Sequence, residues 1–192
     1  MKTFLKKRPL SWSAISSFQF NPEQWYNKYI LGKEEPQSEA MKFGKAFGKS
    51  CELRKPLAPV TLYKEVEYPL NVIFSGIPMT GFIDTYEPHI GFREFKTSNK
   101  VWTKDKAENH GQLKMYALML FIQHKVKPED LRIHLDCIQT TERGDFKVEF
   151  VKPVKVHSYE VKLTMKDILS FGSEIKQTVK QMGEYIEKVK FS

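Results

Sequence analysis

The stretch "GFREFKTS", residues 91–98, decides how the chain folds. Side chains alternate along a β-strand, so Glu94 and Lys96 share one face while Phe95 points to the other. With Phe95 in a core, the acid and the amine stand side by side on an open edge. Such a pair is either an ion pair on an ordinary half-buried strand or a metal ligand beside a lysine that helps water attack phosphate. The flanking segments have to separate the two.

Upstream, "MTGFIDTY" (79–86) carries Asp84 near its end. Three stretches rich in Val, Ile, Tyr and Phe, roughly 60–68, 78–86 and 90–97, read as strands. Their connections are short, which predicts an antiparallel meander. Before them, Ser38 can cap a helix running to about Arg54, with Pro56 ending it. After them, 104–125 reads as one helix with Leu113, Tyr116, Ala117 and Leu120 on one side. "LRIHLDCIQ" (131–139) then alternates cleanly, and the preceding helix can cross over to lay it parallel to a neighbour. From 38 to 139 the order is α-β-β-β-α-β, an α/β fold with a mixed sheet flanked by helices.

Two further regions frame this core. "LSWSAISSFQFNPEQWYNKYILG" predicts N-terminal helices within 11–32: capping serines, a break near Asn21, Pro22 in the first turn of a second helix and Gly32 as its stop. At the other end, strands are expected at 146–151 and 156–163. Thr164 with Asp167 makes a capping box for a long helix whose apolar positions are Ile168, Phe171, Ile175, Val179, Met182, Ile186 and Val189.

Composition narrows the class. The 192 residues are 41% apolar and 28% charged, ordinary for one globular domain spanning 1–192. The net charge of +8 suits a phosphate-bearing partner and would equally serve solubility. Cys51 and Cys137 are the only cysteines, too few for a tetracysteine zinc or iron–sulfur site, and free buried thiols in a reducing compartment are expected. "MKTFLKKRPLSW" is basic without an apolar run, so no signal peptide is expected, and "YALMLFI" (116–122) is too short to span a bilayer. The expectation is a soluble cytoplasmic protein with no membrane partner.

A hairpin through "EPHIG" would bring Asp84 and Glu94 together. Magnesium needs hard oxygen ligands, few of them from protein, and two carboxylates plus the Phe95 carbonyl would serve. Lys96 could then orient the attacking water or neutralise developing charge. Gln112 and Tyr116, four apart, share a helix face. Gln112 could orient the lysine or a phosphate and Tyr116 could hold a backbone oxygen. The plainer alternative has Tyr116 in the core and Gln112 exposed.

Taken together, "GFIDTYEPHIGFREFKTSNKVW" and "GQLKMYALML" resemble the PD-(D/E)XK nuclease superfamily, specifically its RecB-like exonuclease branch. The resemblance rests on Gly81 with Asp84, Glu94 with Lys96 and Thr97, and Gln112 with Tyr116. "LSWSAISSFQFNPEQWYNKYILG" looks like that branch's N-terminal helix, and "MKFGKAFGKSCE" like its next helix, so the likeness covers 11 to about 125. It implies a restriction-endonuclease-like core and a deoxyribonuclease dependent on Mg2+ or Mn2+. Asp84, Glu94, Lys96, Gln112 and Tyr116 would be its catalytic residues. Two positions depart from the pattern: Gly48 stands where a metal-binding histidine is expected, and Glu52, one turn on, would either serve as a ligand directly or through water or be a surface glutamate near the helix end. Asn21 stands where some relatives have a cluster cysteine, so no iron–sulfur cluster is expected.

On the DNA side, Lys2, Lys6, Lys7 and Arg8 precede the first helix, and Lys100, Trp102, Lys104 and Lys106 follow the Glu94 strand. The lysines would contact phosphates and Trp102 would stack on an unpaired base. The alternative is a solvated basic loop with Trp102 packed back on the domain. His110 is close enough to Gln112 to bear on it; the other histidines show no metal-ligand spacing. The resemblance points to an exonuclease of recombination, repair or phage DNA processing. Its partners would be DNA and an annealing protein, a single-strand-binding protein or a helicase. A structure-specific endonuclease on the same core, a binding module without catalysis and a basic protein-interaction domain stand beside it.

Overall fold

The computed structural model of the protein describes residues 8–34, 36–142 and 148–190. Lys2, Lys6 and Lys7 of the basic N-terminus, and Phe146 and Lys147 of the expected strand 146–151, lie outside them.

Helix α1 (Trp12–Phe20) begins where the Ser11 hydroxyl accepts from the Ala14 N–H. Asn21 ends it and immediately caps the next, its carboxamide oxygen accepting from the N–H groups of Glu23 and Gln24. Pro22 therefore opens α2 (Pro22–Trp25) where no N–H is missed. The helix continues as a wider π-type turn, Tyr26–Ile30. Ser38 caps α3 (Glu39–Glu52) through the Met41 N–H at 3.2 Å.

β1 (Glu65–Phe74) and β2 (Ile77–Glu87) form a hairpin around Ser75 and Gly76, both at positive φ (49° and 78°). Such a two-residue turn matches the twist of its strands. It also corrects the expected strand at 60–68: the turn, rather than the density of β-formers, sets where the hairpin runs. Pro69 is tolerated because β1 is an edge strand. β2 returns into β3 (Gly91–Ser98) through a turn at Glu87–Ile90, where the Ile90 N–H donates to the Glu87 carbonyl.

The expected helix 104–125 is two helices, α4 (Lys104–Glu108) and α5 (Gly111–His124). Asn109 breaks it, its side-chain amide donating to the Asp105 carbonyl and carboxylate. β4 (Arg132–Glu142) then lies parallel to β3 in continuous register from Gly91↔Arg132 to Ser98↔Gln139. On its other edge β4 pairs antiparallel with β5 (Val148–Phe150) and β6 (Val156–Val161). Thr164 and Asp167 make the expected reciprocal cap, and α6 (Met165–Lys190) follows.

The sheet is thus six-stranded and mixed, with helices on both faces. α5 is buried nearly all round, Met115, Leu118 and Met119 included, because α6 covers the side turned away from the sheet. α6 buries its predicted stripe from Ile168 to Ile186, while Val189 at its end is exposed. A smaller core on the opposite face joins Phe47 and Cys51 of α3 to Phe95 and Ile138. Both cysteines are free and buried. No helix among the described residues is long and apolar enough to cross a membrane.

The start of α5 is closely packed. A Cβ on Gly111 would lie 2.3 Å from the Trp12 ring and 3.2 Å from Phe171, so α1, α5 and α6 meet at a residue without a side chain. Gly111→Ala is expected to destabilise the protein by about 2 kcal/mol through overpacking. Thermal denaturation should show a Tm lower by roughly 4–8 °C, and an unchanged Tm would contradict this packing.

Candidate active site

β2 and β3 pair at Thr85↔Arg93, Tyr86↔Phe92 and Glu87↔Gly91, and then part. The backbone groups along the fork need other partners, since buried polar groups left unpaired are costly. Leu10 supplies two, donating to the Pro78 carbonyl and accepting from the Thr80 N–H. The Tyr116 hydroxyl donates to the Phe82 carbonyl at 2.6 Å. On the β3 side the Phe95 N–H donates to Asp84 Oδ2 at 2.6 Å. Asp84 therefore stands in the mouth of the fork, beside the residue that follows Glu94.

Glu94 is not on an open edge, as the strand pattern alone suggests. It is 3% exposed, because α5 covers that face of β3. Lys96 Nζ donates to Glu94 Oε1 at 2.6 Å and to Gln112 Oε1 at 2.8 Å. The Gln112 amide in turn donates to the Tyr116 hydroxyl at 2.7 Å. An ammonium can only donate, so Gln112 must present oxygen to Lys96, its NH2 must face Tyr116, and the tyrosine proton is left for Phe82. His110 Nε2 lies 3.3 Å from the same Gln112 oxygen and so carries its proton there. Burial, then the Lys96 charge, lowers the His110 pKa to about 4, keeping the ring neutral.

Burial raises the pKa of Asp84 well above the usual carboxylate range, and the neighbouring Glu94 adds to it. Glu94 is raised by burial as well, with Lys96 pulling it back. Burial opposes charge on Lys96, but Glu94 and Asp84 outweigh it and its pKa rises. Glu94 Oε2 is buried with no hydrogen-bond partner. Two facing carboxylates with one bare oxygen suit a divalent cation. Among the described residues, however, no three His, Cys, Asp or Glu side chains form a ready cation cage.

A cavity of about 460 Å3 opens here, lined by Gly44, Gly48 and Cys51 of α3 and by Glu67, Asp84 and Glu94. Of the residues singled out from sequence, Asp84, Glu94, Lys96, Gln112 and Tyr116 come together. The Phe95 main chain is at the site through its N–H, while its ring packs edge-on against Phe47. Glu52 does not join them: it is exposed on α3 and paired with Lys49 at 2.8 Å. The turn after Gly48 carries it away from the cavity. Gly81 has a geometric role, since a Cβ there would lie 2.7 Å from the Tyr116 ring that reaches across it to Phe82. Glu67 and Cys51 line the cavity without having been singled out.

The basic segment divides. Lys100 and Lys104 are exposed, Lys104 lying 3.6 Å from Glu108. The Trp102 ring is half-buried, with His110 edge-on at 5.0 Å and Lys106 over it at 4.0 Å. The Tyr159 hydroxyl donates to the Trp102 carbonyl. At the N-terminus, the Arg8 guanidinium lies 4.7 Å above the Tyr29 ring.

No protein-family model and no curated protein sequence matches the chain. Among solved structures it is similar to the crystal structure of a presumed exonuclease from Eubacterium rectale, with a TM-score of 0.66 and 10% identity. The match covers 93% of this chain and 81% of the other. At that identity the likeness is one of fold.

The raised carboxyls have a consequence for stability. A group whose folded pKa lies above its unfolded value stabilises the fold at low pH, and that contribution is lost as pH rises through the folded value. Metal-free protein should therefore lose stability from acidic toward neutral pH at Asp84 and Glu94. Asp84→Asn, which still accepts from Phe95, should raise the metal-free Tm at pH 7.5 by roughly 2–4 °C, about 1 kcal/mol. The gain should shrink toward pH 4. A variant less stable than the parent at both pH values would contradict the strain assigned to this pair.

Proposed function

We propose that the protein is a metal-dependent deoxyribonuclease that hydrolyses phosphodiester bonds, acting from the ends of linear DNA, in recombination, repair or phage DNA processing. The observation that carries this reading is the bare, buried Oε2 of Glu94 facing Asp84, with a lysine on the same strand face. The fold shared with a presumed exonuclease and the net charge of +8 support it.

Asp84 and Glu94 would hold the cation, Mg2+ or Mn2+, with the Phe95 carbonyl as a further oxygen ligand. Bound there, such an ion acidifies water and offsets negative charge on the phosphate. Asp84 keeps its place through the Phe95 N–H, which engages Oδ2, and Oδ1 would be its ligand atom for the ion. Glu94 gives Oε1 to Lys96, and its Oε2, buried without a hydrogen-bond partner, would meet the ion. Lys96 is 25% exposed, enough to meet a water or a phosphate oxygen while remaining charged. Gln112 fixes the lysine from behind, and Tyr116 fixes Gln112 by anchoring to the rigid β2 backbone. This network would hold the ammonium in reach before substrate arrives, which is where electrostatic catalysis gains most.

Lys100, Lys104 and Lys106 would contact the phosphate backbone, and Trp102, already engaged by Lys106 and His110, would shape that loop as much as stack on a base. Binding by such contacts weakens steeply with salt.

End-labelled linear DNA, single- and double-stranded, and closed circular DNA distinguish the readings. With Mg2+ or Mn2+ present, linear DNA should be degraded and circles left intact. Lys96→Ala should lower the rate by about 10²-fold or more while DNA binding is retained. Gln112→Ala should cost about 10-fold, since it only loosens the lysine. Cut circles would instead indicate an endonuclease on the same core. DNA bound but uncut with either metal would leave a binding module without catalysis.

A further inference from the structure

We propose that Glu67 is a third carboxylate of this site, holding the hydrated cation through water from the β1 side of the cavity. The inference rests on the metal-dependent reading above and adds a residue to it. In the β1–β2 ladder, Val66↔Thr85 and Tyr68↔Ile83 flank one position at which Glu67 faces Asp84. Glu67 drops out of that ladder and takes a left-handed backbone, φ 49°, in the middle of a strand. A branchless acidic residue rarely does so without cause, and strained residues of this kind gather at functional sites.

Three observations give the distortion a purpose. Glu67 lines the same cavity as Asp84 and Glu94, and makes no hydrogen bond or ion pair among the described residues. Glu94, which lines the cavity as well, is 97% buried, and its Oε2 has no hydrogen-bond partner, while Lys96 is committed to Oε1 and Gln112. The wall opposite is open as well: a Cβ on Gly48 would meet no atom within 4 Å, so α3 contributes space rather than a ligand there. Asp84 and Glu94 alone leave most of a magnesium shell to water, and these waters need acceptors. With no direct three-residue cage among the described residues, Glu67 would orient them rather than touch the ion. Besides Glu94, the charges that act on Glu67 are Glu52 and Lys49 of α3, which are paired with each other at 2.8 Å.

Mn2+ binding to the full chain, followed by the loss of the free-ion EPR signal, tests this without requiring cleavage. Glu67→Gln should weaken Mn2+ binding by about 10-fold, the usual consequence of losing an outer-sphere carboxylate. Glu67→Asn, which tolerates the left-handed backbone, should do the same and so separates lost charge from a disturbed strand. Glu52→Gln should stay within about twofold, and Asp84→Asn should lose binding altogether. If both Glu67 variants bind Mn2+ like the parent while Asp84→Asn does not, Glu67 has no such role and the nuclease reading stands. If the parent itself binds no Mn2+, both readings fall. A loss equal in Glu52→Gln and Glu67→Gln would indicate general charge only and would also overturn the proposal.

Discussion

The parting of β2 from β3 beyond Thr85 and Arg93 is the constraint on which the rest of the structure depends. A sheet that splits exposes peptide groups inside the protein, and each must find a partner or cost free energy. Here the replacements come from different parts of the chain. Leu10 ties the N-terminal helices to Pro78 and Thr80, Tyr116 ties α5 to Phe82, and Asp84 reaches across to Phe95. One local break in a ladder therefore positions a helix, a tyrosine and a carboxylate. Gly81 belongs to the same device, because any side chain there would push Tyr116 away from the carbonyl it satisfies.

The charged groups gathered at the fork are unfavourable for folding taken by themselves. Two carboxylates and one ammonium are withdrawn from water, and a buried ion pair seldom recovers its full desolvation cost. What makes the arrangement tenable is the order of donors: Lys96 to Glu94 and Gln112, Gln112 to Tyr116, Tyr116 to Phe82. Exchange of any donor for an acceptor would strand a neighbour in a low-dielectric setting. Among the described residues, Glu94 Oε2 is a buried atom that this chain of donors leaves unpartnered. A protein selected for stability alone would have little reason to keep it bare, so the defect and the chemistry proposed for it belong together.

Much of this was legible in the residues. Alternation in "GFREFKTS" separates Phe95 from Glu94 and Lys96, a four-residue spacing joins Gln112 to Tyr116, and Ser11, Asn21, Ser38 and Thr164 mark helix starts by the local hydrogen bonds they make. These readings succeed because they depend on neighbours within one turn or one pleat. Those that failed depend on something farther away. The single helix expected over 104–125 is interrupted at Asn109, and its second part starts at Gly111, where Trp12, from the far end of the chain, leaves no room for a side chain. Glu52 shares a helix with the cavity-lining Gly48, yet periodicity does not show where the cavity ends. Glu67 was hidden by the misplaced first strand. Once Ser75-Gly76 is taken as the turn, equal steps outward from it bring Glu67 opposite Asp84.

The sequence by itself determined the element types, the caps, the parallel placement of β4 and the set of polar residues that meet at the fork. All of these follow from covalent geometry and short-range hydrogen bonding. The tertiary structure alone decided that Glu94 is buried rather than on an edge, that Glu67 joins the cavity and Glu52 does not, and that Trp102 turns partly inward. Burial and convergence are set by which surfaces cover one another, and that depends on residues distant in the chain closing around the same fork.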